Sequence, residues 1–250
     1  MARQTSQPAT PIDLSIVIPA YNEAARIGPT LTAIAEFSRQ TELRCELIVV
    51  DDGSTDGTVD VVRAFSPEGL AVRLLESAIN SGKGAAVRQG MLAAAGDAVL
   101  MSDADMSTPI EEVERLLPWL ERGYEVVIAS RDLPDSRLDP PQPFVRRFMA
   151  WGFRTLRRLV LLPKVRDTQC GFKLFERAAA RAIFSRATVD GWLFDCEVLA
   201  IAADLGHRIR EIGVTWRNHP HSKVNAWREL VTSVPVLLSI RRGSGRNVGR

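Results

Sequence analysis

The 250-residue sequence predicts an α/β fold, in which a mostly parallel sheet carries helices on both of its faces. Between residues 14 and 129, apolar segments typical of strands alternate with segments of helical periodicity. The connections between these segments are of ordinary length, which favours crossovers between parallel strands. Clusters of polar residues follow the predicted strands, at the edge where such sheets bind their ligands.

The individual elements follow in a regular order. The first predicted strand, 14–19, is rich in β-branched residues and stops at Pro19, and residues 23–37 carry apolar side chains at helical spacing. The second strand, 47–50, is continuously apolar, as expected when both faces of a sheet are covered. The alternation continues with helices at 58–65, 84–95 and 110–122 and strands at 72–75, 98–101 and 125–129.

Composition separates the chain into two halves of opposite charge. The net charge is only +2, but residues 11–130 contain 19 Asp or Glu and 9 Lys or Arg, whereas residues 131–186 contain 13 Lys or Arg and 5 Asp or Glu. The first half suits cations and the second half suits an anionic partner or surface. The three cysteines, Cys45, Cys170 and Cys196, form no CxxC motif, which indicates a reduced, cytosolic setting without a structural zinc site.

Targeting and membrane signals are not found in the sequence. The first eleven residues are polar, so we expect no signal peptide, and no apolar stretch is long enough for a bilayer span. Residues 133–143 are rich in Pro and Asp and are predicted to form a mobile loop.

Two carboxylates, Asp103 and Asp105, directly follow the strand predicted at 98–101. In an extended chain, residues i and i+2 point to the same side, so both acids can face one cation. A hard divalent ion held by one or two carboxylates leaves coordination positions free for a diphosphate. Taken alone, such a pair is more often a solvated turn, so its significance depends on its surroundings.

Three further clusters lie at the ends of the predicted strands or at the start of a helix. Residues 19–23 (Pro-Ala-Tyr-Asn-Glu) combine an aromatic ring and a carboxylate that can stack on a base and accept its imide N–H. In residues 51–57, Asp52 can accept from a base or a ribose, and residues 80–84 place Lys83 and backbone N–H groups where an anion is favoured. Each cluster also has a simpler interpretation, as a helix-capping or glycine-rich turn.

The order and spacing of these clusters resemble the family 2 glycosyltransferases of GT-A fold, which have a Rossmann-like sheet. The residues that carry the resemblance are 18–23, 49–57, 80–84 and 102–105, and it extends over residues 13–230. It implies a nucleotide-diphosphate sugar donor, a Mg²⁺ or Mn²⁺ ion and inversion at the anomeric carbon. It also implies roles for individual residues. Lys83 and Ala104 would lie near the nucleotide, and Asp103 with Asp105 would serve the ribose, the diphosphate and the metal. The nucleoside would contact Pro19, Ala20, Tyr21, Glu23 and Asp52.

The second half of the chain resembles a narrower group, the dolichyl-phosphate glucosyltransferases and their polyprenyl-phosphate relatives. The residues that carry this resemblance are 129–131 (Ala-Ser-Arg), 144–147, 166–175 (Arg-Asp-Thr-Gln-Cys-Gly-Phe-Lys-Leu-Phe) and 192–197 (Trp-Leu-Phe-Asp-Cys-Glu). The resemblance implies glucose transfer from UDP-glucose to a lipid phosphate. The implied acceptor-phosphate residues are Arg131, Arg146, Ser222 and Lys223, and the implied catalytic residues are Asp105, Arg131 and Asp195. Asp195 lies where many family members place a base, and the alternative is that it orients hydroxyl groups.

The predicted domain organisation follows from these matches. We expect a disordered N-terminus over 1–12, a glycosyltransferase domain over 13–230 and an amphipathic, basic tail over 231–250. Within the domain, 13–130 would bind the nucleotide sugar and 131–230 the acceptor. A predicted helix at 144–162, and more weakly 224–240, combines apolar and basic residues as expected at a membrane surface. The roles of His219 and His221 stay open.

Eukaryotic glucosyltransferases of this group carry an N-terminal membrane helix that this sequence does not show. We therefore expect peripheral attachment at the cytoplasmic face of a membrane, directly or through a membrane-protein partner, and no nucleic-acid partner. Several alternatives remain open: the lipid is a polyprenyl rather than a dolichyl phosphate, the sugar is mannose or another sugar, the acceptor is a soluble molecule, or the chain is a nucleotide-sugar-binding module without enzymatic activity.

Overall fold

The computed structural model describes residues 11–139, 162–163, 165–217 and 235–241. The strands are β1 (Leu14–Ala20), β2 (Cys45–Asp51), β3 (Ala71–Glu76), β4 (Ala98–Ser102), β5 (Val126–Ser130), β6 (Arg137–Asp139), β7 (Phe172–Glu176), β8 (Ile209–Gly213) and β9 (Thr215–Arg217). The helices include α1 (Ala24–Gln40), α2 (Thr58–Ala64), α3 (Lys83–Ala93), α4 (Val113–Glu121), α5 (Arg177–Phe184) and α6 (Phe194–Asp204), and a short 3₁₀ turn (Ile110–Glu112) precedes α4. All nine elements predicted between residues 14 and 129 are confirmed.

The main sheet has seven strands in the order β3-β2-β1-β4-β7-β5-β8. Strand β1 pairs in parallel with both β2 and β4, so that Ile16 lies beside Leu47 on one side and Leu100 on the other. The chain moves outward from β1 through β2 to β3 and then returns to the other side of β1 as β4. Ligands of open α/β sheets bind at such a switch point, beyond the carboxyl ends of the strands.

Strand β7 is the exception to the parallel arrangement. It runs antiparallel to both of its neighbours, β4 and β5. Its insertion between them brings the segment that precedes it, residues 165–171, to the carboxyl edge of the sheet. The fold is therefore mostly parallel, as predicted, and its antiparallel strand contributes directly to the site described below.

Apolar side chains cover both faces of the sheet. In β1, Ile16 and Ile18 pack on one side with α1 and α4, whereas Val17 packs on the other side with α3, α5 and α6. This alternation is the period-2 pattern of a strand, and burial on both faces explains why the inner strands β1, β4 and β5 are largely apolar, whereas the outer strand β3 carries Arg73 and is partly exposed. The cysteines Cys45, Cys170 and Cys196 are buried and free of disulfide bonds.

The prediction of a loop over residues 133–143 is wrong for part of that segment. Residues Arg137–Asp139 form β6, which pairs in parallel with β9 in a separate two-stranded ladder. This ladder carries the end of β9 to the loop that follows β4, where the amide of Arg217 donates to the carbonyl oxygen of Ser107 at 2.7 Å. A Pro- and Asp-rich composition does not reveal pairing with a strand so distant in sequence.

Several sequence predictions lie outside the described residues: the helix at 144–162 up to residue 161, the N-terminus up to residue 10, and Arg146, His219, His221, Ser222 and Lys223. Residues 235–241 are helical, and Leu237 and Ile240 pack against Leu193 and Cys196 beside α6. The longer amphipathic tail stays a prediction. None of the described helices has the length and apolarity that a bilayer span requires.

Candidate active site

The loops that follow β1 and β2 are joined into one structure by hydrogen bonds. The amide of Asn22 donates to Ser54 Oγ at 2.9 Å, and the amide of Glu23 donates to Thr58 Oγ1 at 2.8 Å. Asn22 has a φ of +54°, a left-handed conformation that asparagine tolerates better than most residues. These contacts fix the first turn of α1 and leave Tyr21 45% exposed at the rim of the sheet.

The two acids at the end of β2, Asp51 and Asp52, make different hydrogen bonds. Both carboxylate oxygens of Asp52 accept backbone N–H groups, from Ser81 and Gly82, each at 2.8 Å. Asp51 accepts the amide of Ser54 at 2.9 Å through Oδ2, while its buried Oδ1 has no hydrogen-bond partner. Asp52 therefore holds the loop in front of α3, a contact that was not predicted, and neither Ser54 nor Thr55 caps α2, whose N-cap residue is Gly57. The oxygens of Asp52 retain lone pairs, so its predicted contact with a nucleoside stays open.

The loop at the start of α3 packs directly against the segment that precedes α6. Gly82 has a φ of +107°, and a Cβ at this position would approach the carbonyl oxygen of Asp190 within 2.5 Å. The amide of Gly84 donates to the same carbonyl oxygen at 2.6 Å. A side chain at Gly82 would be strained by its φ and would separate these two backbones.

Lys83, the first residue of α3, crosses to the acidic pair predicted from the sequence. Its Nζ lies 2.5 Å from Oδ1 of Asp103. Burial opposes the charge of Lys83, but the carboxylates of Asp103, Asp195 and Asp105 outweigh burial and raise its pKa above the ordinary value. Lys83 is therefore held as a cation at this edge of the sheet.

The loop of Asp103 and Asp105 is anchored from two sides. Thr30 of α1 donates to the carbonyl oxygen of Ala104 at 2.7 Å, and the amide of Asp103 donates to the carbonyl oxygen of Gly171 at 3.0 Å. The carboxylate of Asp103 also lies against the Cα of Gly171, where a Cβ would overlap it. The glycine of the 166–175 motif is thus needed for close approach to this acid.

Asp105 is the better placed of the two acids for a metal ion. Its Oδ1 accepts the amide of Ser107 at 3.0 Å, and its other oxygen makes no hydrogen bond to a described residue. Asp103, in contrast, is already paired with Lys83. In the described part of the chain no group of three or more His, Cys, Asp or Glu side chains could hold a metal. Two carboxylates fit a hard cation whose remaining ligands are diphosphate oxygens and water.

Asp195 lies in the first turn of α6 and is buried beside Lys173 of β7. Lys173 Nζ lies 2.5 Å from Asp195 Oδ1 and donates to the carbonyl oxygen of Cys170 at 2.6 Å. Burial raises the pKa of Asp195, the charges of Lys173 and Lys83 oppose this shift, and the charge of Asp103 adds to it. Sequence reasoning gave Lys173 no role of its own. The signal that could have found it is a lysine inside the apolar strand Phe-Lys-Leu-Phe.

Arg131, at the carboxyl end of β5, forms a two-pronged ion pair with Asp167. Its Nε and Nη2 donate to the two carboxylate oxygens at 2.7 and 2.9 Å, and its amide donates to Oδ2 at 3.0 Å. Burial opposes the charge on Arg131, but Asp167 outweighs it and raises the pKa of the guanidinium group. The guanidinium group also lies 5.6 Å from the ring centre of Trp216. Asp167 thus orients Arg131, a role that sequence reasoning missed.

A single segment links the arginine to the acidic pair. Residues 167–171 run from Asp167, which holds Arg131, to Gly171, which backs Asp103. The end of β9 makes a second link, because Trp216 contacts Arg131 while the amide of Arg217 donates to Ser107. The structure therefore brings together all the predicted site residues that it describes, at one edge of the sheet.

Comparison with known families agrees with this geometry. The family model described as "Glycosyl transferase family 2" matches residues 15–184, which include β2 to β7, all but the first residue of β1, and most of the site. The chain belongs to glycosyltransferase family 2. The match covers the Asp103-Ala-Asp105 loop and the segment that holds Arg131, so the resemblance read from the sequence is confirmed.

Named relatives of this family 2 glycosyltransferase are similar over most of its length. It is 33% identical over 250 residues to a dolichyl-phosphate beta-glucosyltransferase of Dictyostelium discoideum, covering 95% of this chain and 76% of the relative. It is 37% identical over 226 residues to the enzyme of the same name from Drosophila melanogaster, covering 85% of this chain and 69% of the relative.

A solved structure shows the same fold. Glucosyl-3-phosphoglycerate synthase of Mycobacterium tuberculosis, crystallised with Mn²⁺, UDP and glucosyl-3-phosphoglycerate, superposes with a TM-score of 0.69 at 23% identity and covers 93% of this chain and 80% of that chain. The GT-A fold predicted from the sequence is confirmed.

Proposed function

We propose that this family 2 glycosyltransferase transfers glucose from UDP-glucose to the phosphate of a dolichyl-type polyprenyl lipid, with inversion at the anomeric carbon. The observation that carries the proposal is the pairing of two charged sites at one sheet edge. Asp103, Asp105 and Lys83 form the first site, and Arg131 with Asp167 forms the second. The names of its relatives support the choice of glucose and of a dolichyl-type acceptor.

The first site suits the diphosphate of the donor. When bound, a Mg²⁺ or Mn²⁺ ion held by Asp105 and Asp103 supplies Lewis-acid neutralisation of the leaving diphosphate. Lys83 adds a fixed positive charge beside it, since neighbouring carboxylates keep it protonated. Pro19, Ala20, Tyr21, Glu23, Asp52 and Ala104 are proposed to contact the nucleotide, at the ends of β1, β2 and β4.

The second site suits the phosphate of the acceptor. Asp167 occupies the Nε and Nη2 edge of Arg131 and fixes its orientation, and the remaining guanidinium donors, chiefly those of Nη1, are proposed to bind the phosphate. Arg146, Ser222 and Lys223 are proposed to complete this site. Because the acceptor is a lipid, the enzyme is proposed to work as a peripheral protein at the cytoplasmic face of a membrane, with or without a membrane-protein partner.

The proposed reaction needs little proton transfer. An oxygen of the acceptor phosphate forms a bond to the anomeric carbon while the bond from that carbon to the UDP oxygen breaks, and UDP leaves with the electron pair. The attacking phosphate is already anionic near neutral pH, so orientation and charge stabilisation carry most of the rate. Asp195 is proposed to orient a hydroxyl group and not to act as an essential base.

A transfer assay tests this proposal. The purified protein is incubated with radiolabelled UDP-glucose and a short polyprenyl phosphate, with Mn²⁺ or with EDTA, and lipid-linked label is measured. We expect Mn²⁺-dependent transfer. Parallel reactions with GDP-mannose, and with phosphoglycerate as a soluble acceptor, test the alternative sugar and the alternative acceptor. Binding of UDP without transfer from any of these donors would favour a nucleotide-sugar-binding module.

A further inference from the structure

Trp192 is a large aromatic residue that lies beside the charged site and is left half-exposed. Its side chain sits at the end of the segment that precedes α6, and the residue is 48% exposed. The Nζ of Lys83 lies 4.9 Å from the centre of its ring, and the same Nζ lies 2.5 Å from Asp103. The indole ring is therefore next to the place proposed for the donor diphosphate.

The exposure of Trp192 does not come from a loosely held loop. The carboxylate of Glu197 accepts the amide of Thr188 at 2.9 Å and the amide of Val189 at 2.8 Å. Asp190 forms an ion pair with Arg88 at 2.7 Å, and its carbonyl oxygen accepts the amide of Gly84. The residues before Trp192 are thus fixed to both α3 and α6. An aromatic ring on such a rigid support is held in one position relative to the charged site.

Polar chemistry suited to a sugar lies close by in the chain. Asp195 follows Trp192 by three residues, and its carboxylate is held by Lys173 through one oxygen, Oδ1. A glucosyl ring has an apolar face of C–H groups and a rim of hydroxyl groups. An indole ring packs against the apolar face, and a buried, oriented carboxylate accepts hydrogen bonds from the hydroxyl groups. Both features are present in residues 192–195, beside the diphosphate position.

We propose that Trp192 is a specificity-determining residue, whose indole ring packs against the glucosyl ring of the nucleotide-sugar donor. This inference rests on the proposed function, because it needs a donor sugar attached to a diphosphate near Lys83. The alternative is that Trp192 only shields the Lys83–Asp103 pair from water. The two ideas differ in one respect: shielding affects every ligand of the site, whereas a sugar contact affects only ligands that carry the sugar.

Calorimetric titrations with UDP and with UDP-glucose in Mn²⁺ distinguish these ideas. For Trp192→Ala we expect UDP-glucose to bind about tenfold more weakly and UDP to bind as it does to the wild type. Trp192→Phe keeps an aromatic face and should remain within about threefold of the wild type for both ligands. Ile79→Ala is the matched control, since Ile79 is 73% exposed at the same edge of the sheet, after β3.

The experiments distinguish a failure of the proposed Trp192–sugar contact from a failure of the proposed function. Equal weakening of both ligands by Trp192→Ala, or no weakening of UDP-glucose, would overturn the role of Trp192. If UDP-glucose binds and loses affinity in Trp192→Ala but no label reaches polyprenyl phosphate, the proposed function fails while the sugar contact stands, because the titration requires no acceptor.

Discussion

The ammonium group of Lys173 lies 2.5 Å from Oδ1 of Asp195, and the two side chains are 0% and 4% exposed. Lys173 also donates to the carbonyl oxygen of Cys170, so its charge is satisfied from two directions. Taking two charges out of water costs several kcal/mol per ion, and a buried pair is retained only when geometry and extra hydrogen bonds offset that cost. The pair joins the antiparallel strand β7 to the first turn of α6, directly below the candidate active site.

A double-mutant cycle tests the energetic coupling of this pair. Lys173→Met leaves a buried carboxylate without its partner, and Asp195→Asn leaves a buried ammonium group. We expect each single variant to lose about 3–5 kcal/mol of unfolding free energy in urea titrations. The double variant removes both charges and should recover a large part of that loss. Additive losses in the double variant would contradict the prediction.

Glu46→Gln provides a control for this cycle. Glu46 is also buried, at the opposite end of the sheet, where its Oε1 accepts Ser15 Oγ at 2.5 Å and the amide of Ala95 at 2.8 Å. We expect this variant to lose stability without a change in KM for the donor, whereas Lys173→Met changes both. Recovery of donor KM in Lys173→Arg would show that the charge, and not only the packing volume, is needed.

The pH dependence of stability follows from the raised pKa of Asp195. A carboxyl group whose pKa is higher in the folded than in the unfolded protein binds its proton more tightly when folded, so its contribution to stability is lost as pH rises through the folded value. Lys173→Met removes the nearest opposing charge and raises the pKa of Asp195 further. The loss of stability in this variant should therefore be small near pH 4, about the unfolded pKa of Asp, and should grow toward neutral pH. A loss that is constant over this range would contradict the assignment to Asp195.

Much of the first half of the fold could be predicted from the sequence, because its signals are local. The strands β1, β2, β4 and β5 are largely apolar and buried, β3 is marked by its short β-rich run, and each polar cluster directly follows a strand or begins a helix. Parallel strands end at the same edge, so the meeting of Asp52, Lys83 and Asp103 follows from topology alone. The link from Asp52 to the loop before α3 was not predicted, because it joins two loops that are 29 positions apart in the sequence.

The second half could not be predicted to the same extent, because its key pairs are distant in sequence. Arg131 and Asp167 are separated by 36 positions, and Lys173 and Asp195 by 22. No periodicity indicates that β7 inserts antiparallel between β4 and β5. The lysine of β7 breaks the apolar run that identifies a buried strand, and only its partner on α6 explains its burial. Family resemblance marked these segments, but it gave neither Lys173 nor Asp167 a role.

The acidic pair should separate into two functions when its members are changed one at a time. Asp105→Asn should abolish the increase in UDP affinity that Mn²⁺ produces, because Asp105 is the acid that is not paired with Lys83. Asp103→Asn should leave part of the Mn²⁺ effect but release Lys83 from its ion pair. Titration of UDP in Mn²⁺ and in EDTA measures both effects. An unchanged Mn²⁺ effect in Asp105→Asn would remove this residue from the metal site.

The kcat of the Lys173→Met/Asp195→Asn double variant tests whether Asp195 is a base. The double variant is preferred to Asp195→Asn alone because it leaves no buried charge unpaired. The phosphate acceptor is anionic without help, so we expect kcat to fall by about tenfold or less. An essential base would cost a factor of about 10²–10⁴. A large loss of kcat that is repaired at high pH, where general-base help is least needed, would show that Asp195 is the base.

Arg131 should affect the acceptor and not the donor. Arg131→Lys keeps the charge but loses the two-pronged geometry that Asp167 holds, so the substitution is not conservative. We expect the KM for polyprenyl phosphate to rise by about 10–100-fold, because one or two charge-assisted hydrogen bonds to the acceptor are lost. The KM for UDP-glucose should change little. Asp167→Asn keeps Arg131 but weakens its orientation, and should give a smaller shift in the same direction. A rise in the donor KM with an unchanged acceptor KM would place Arg131 at the diphosphate, and the two-phosphate arrangement would then be wrong.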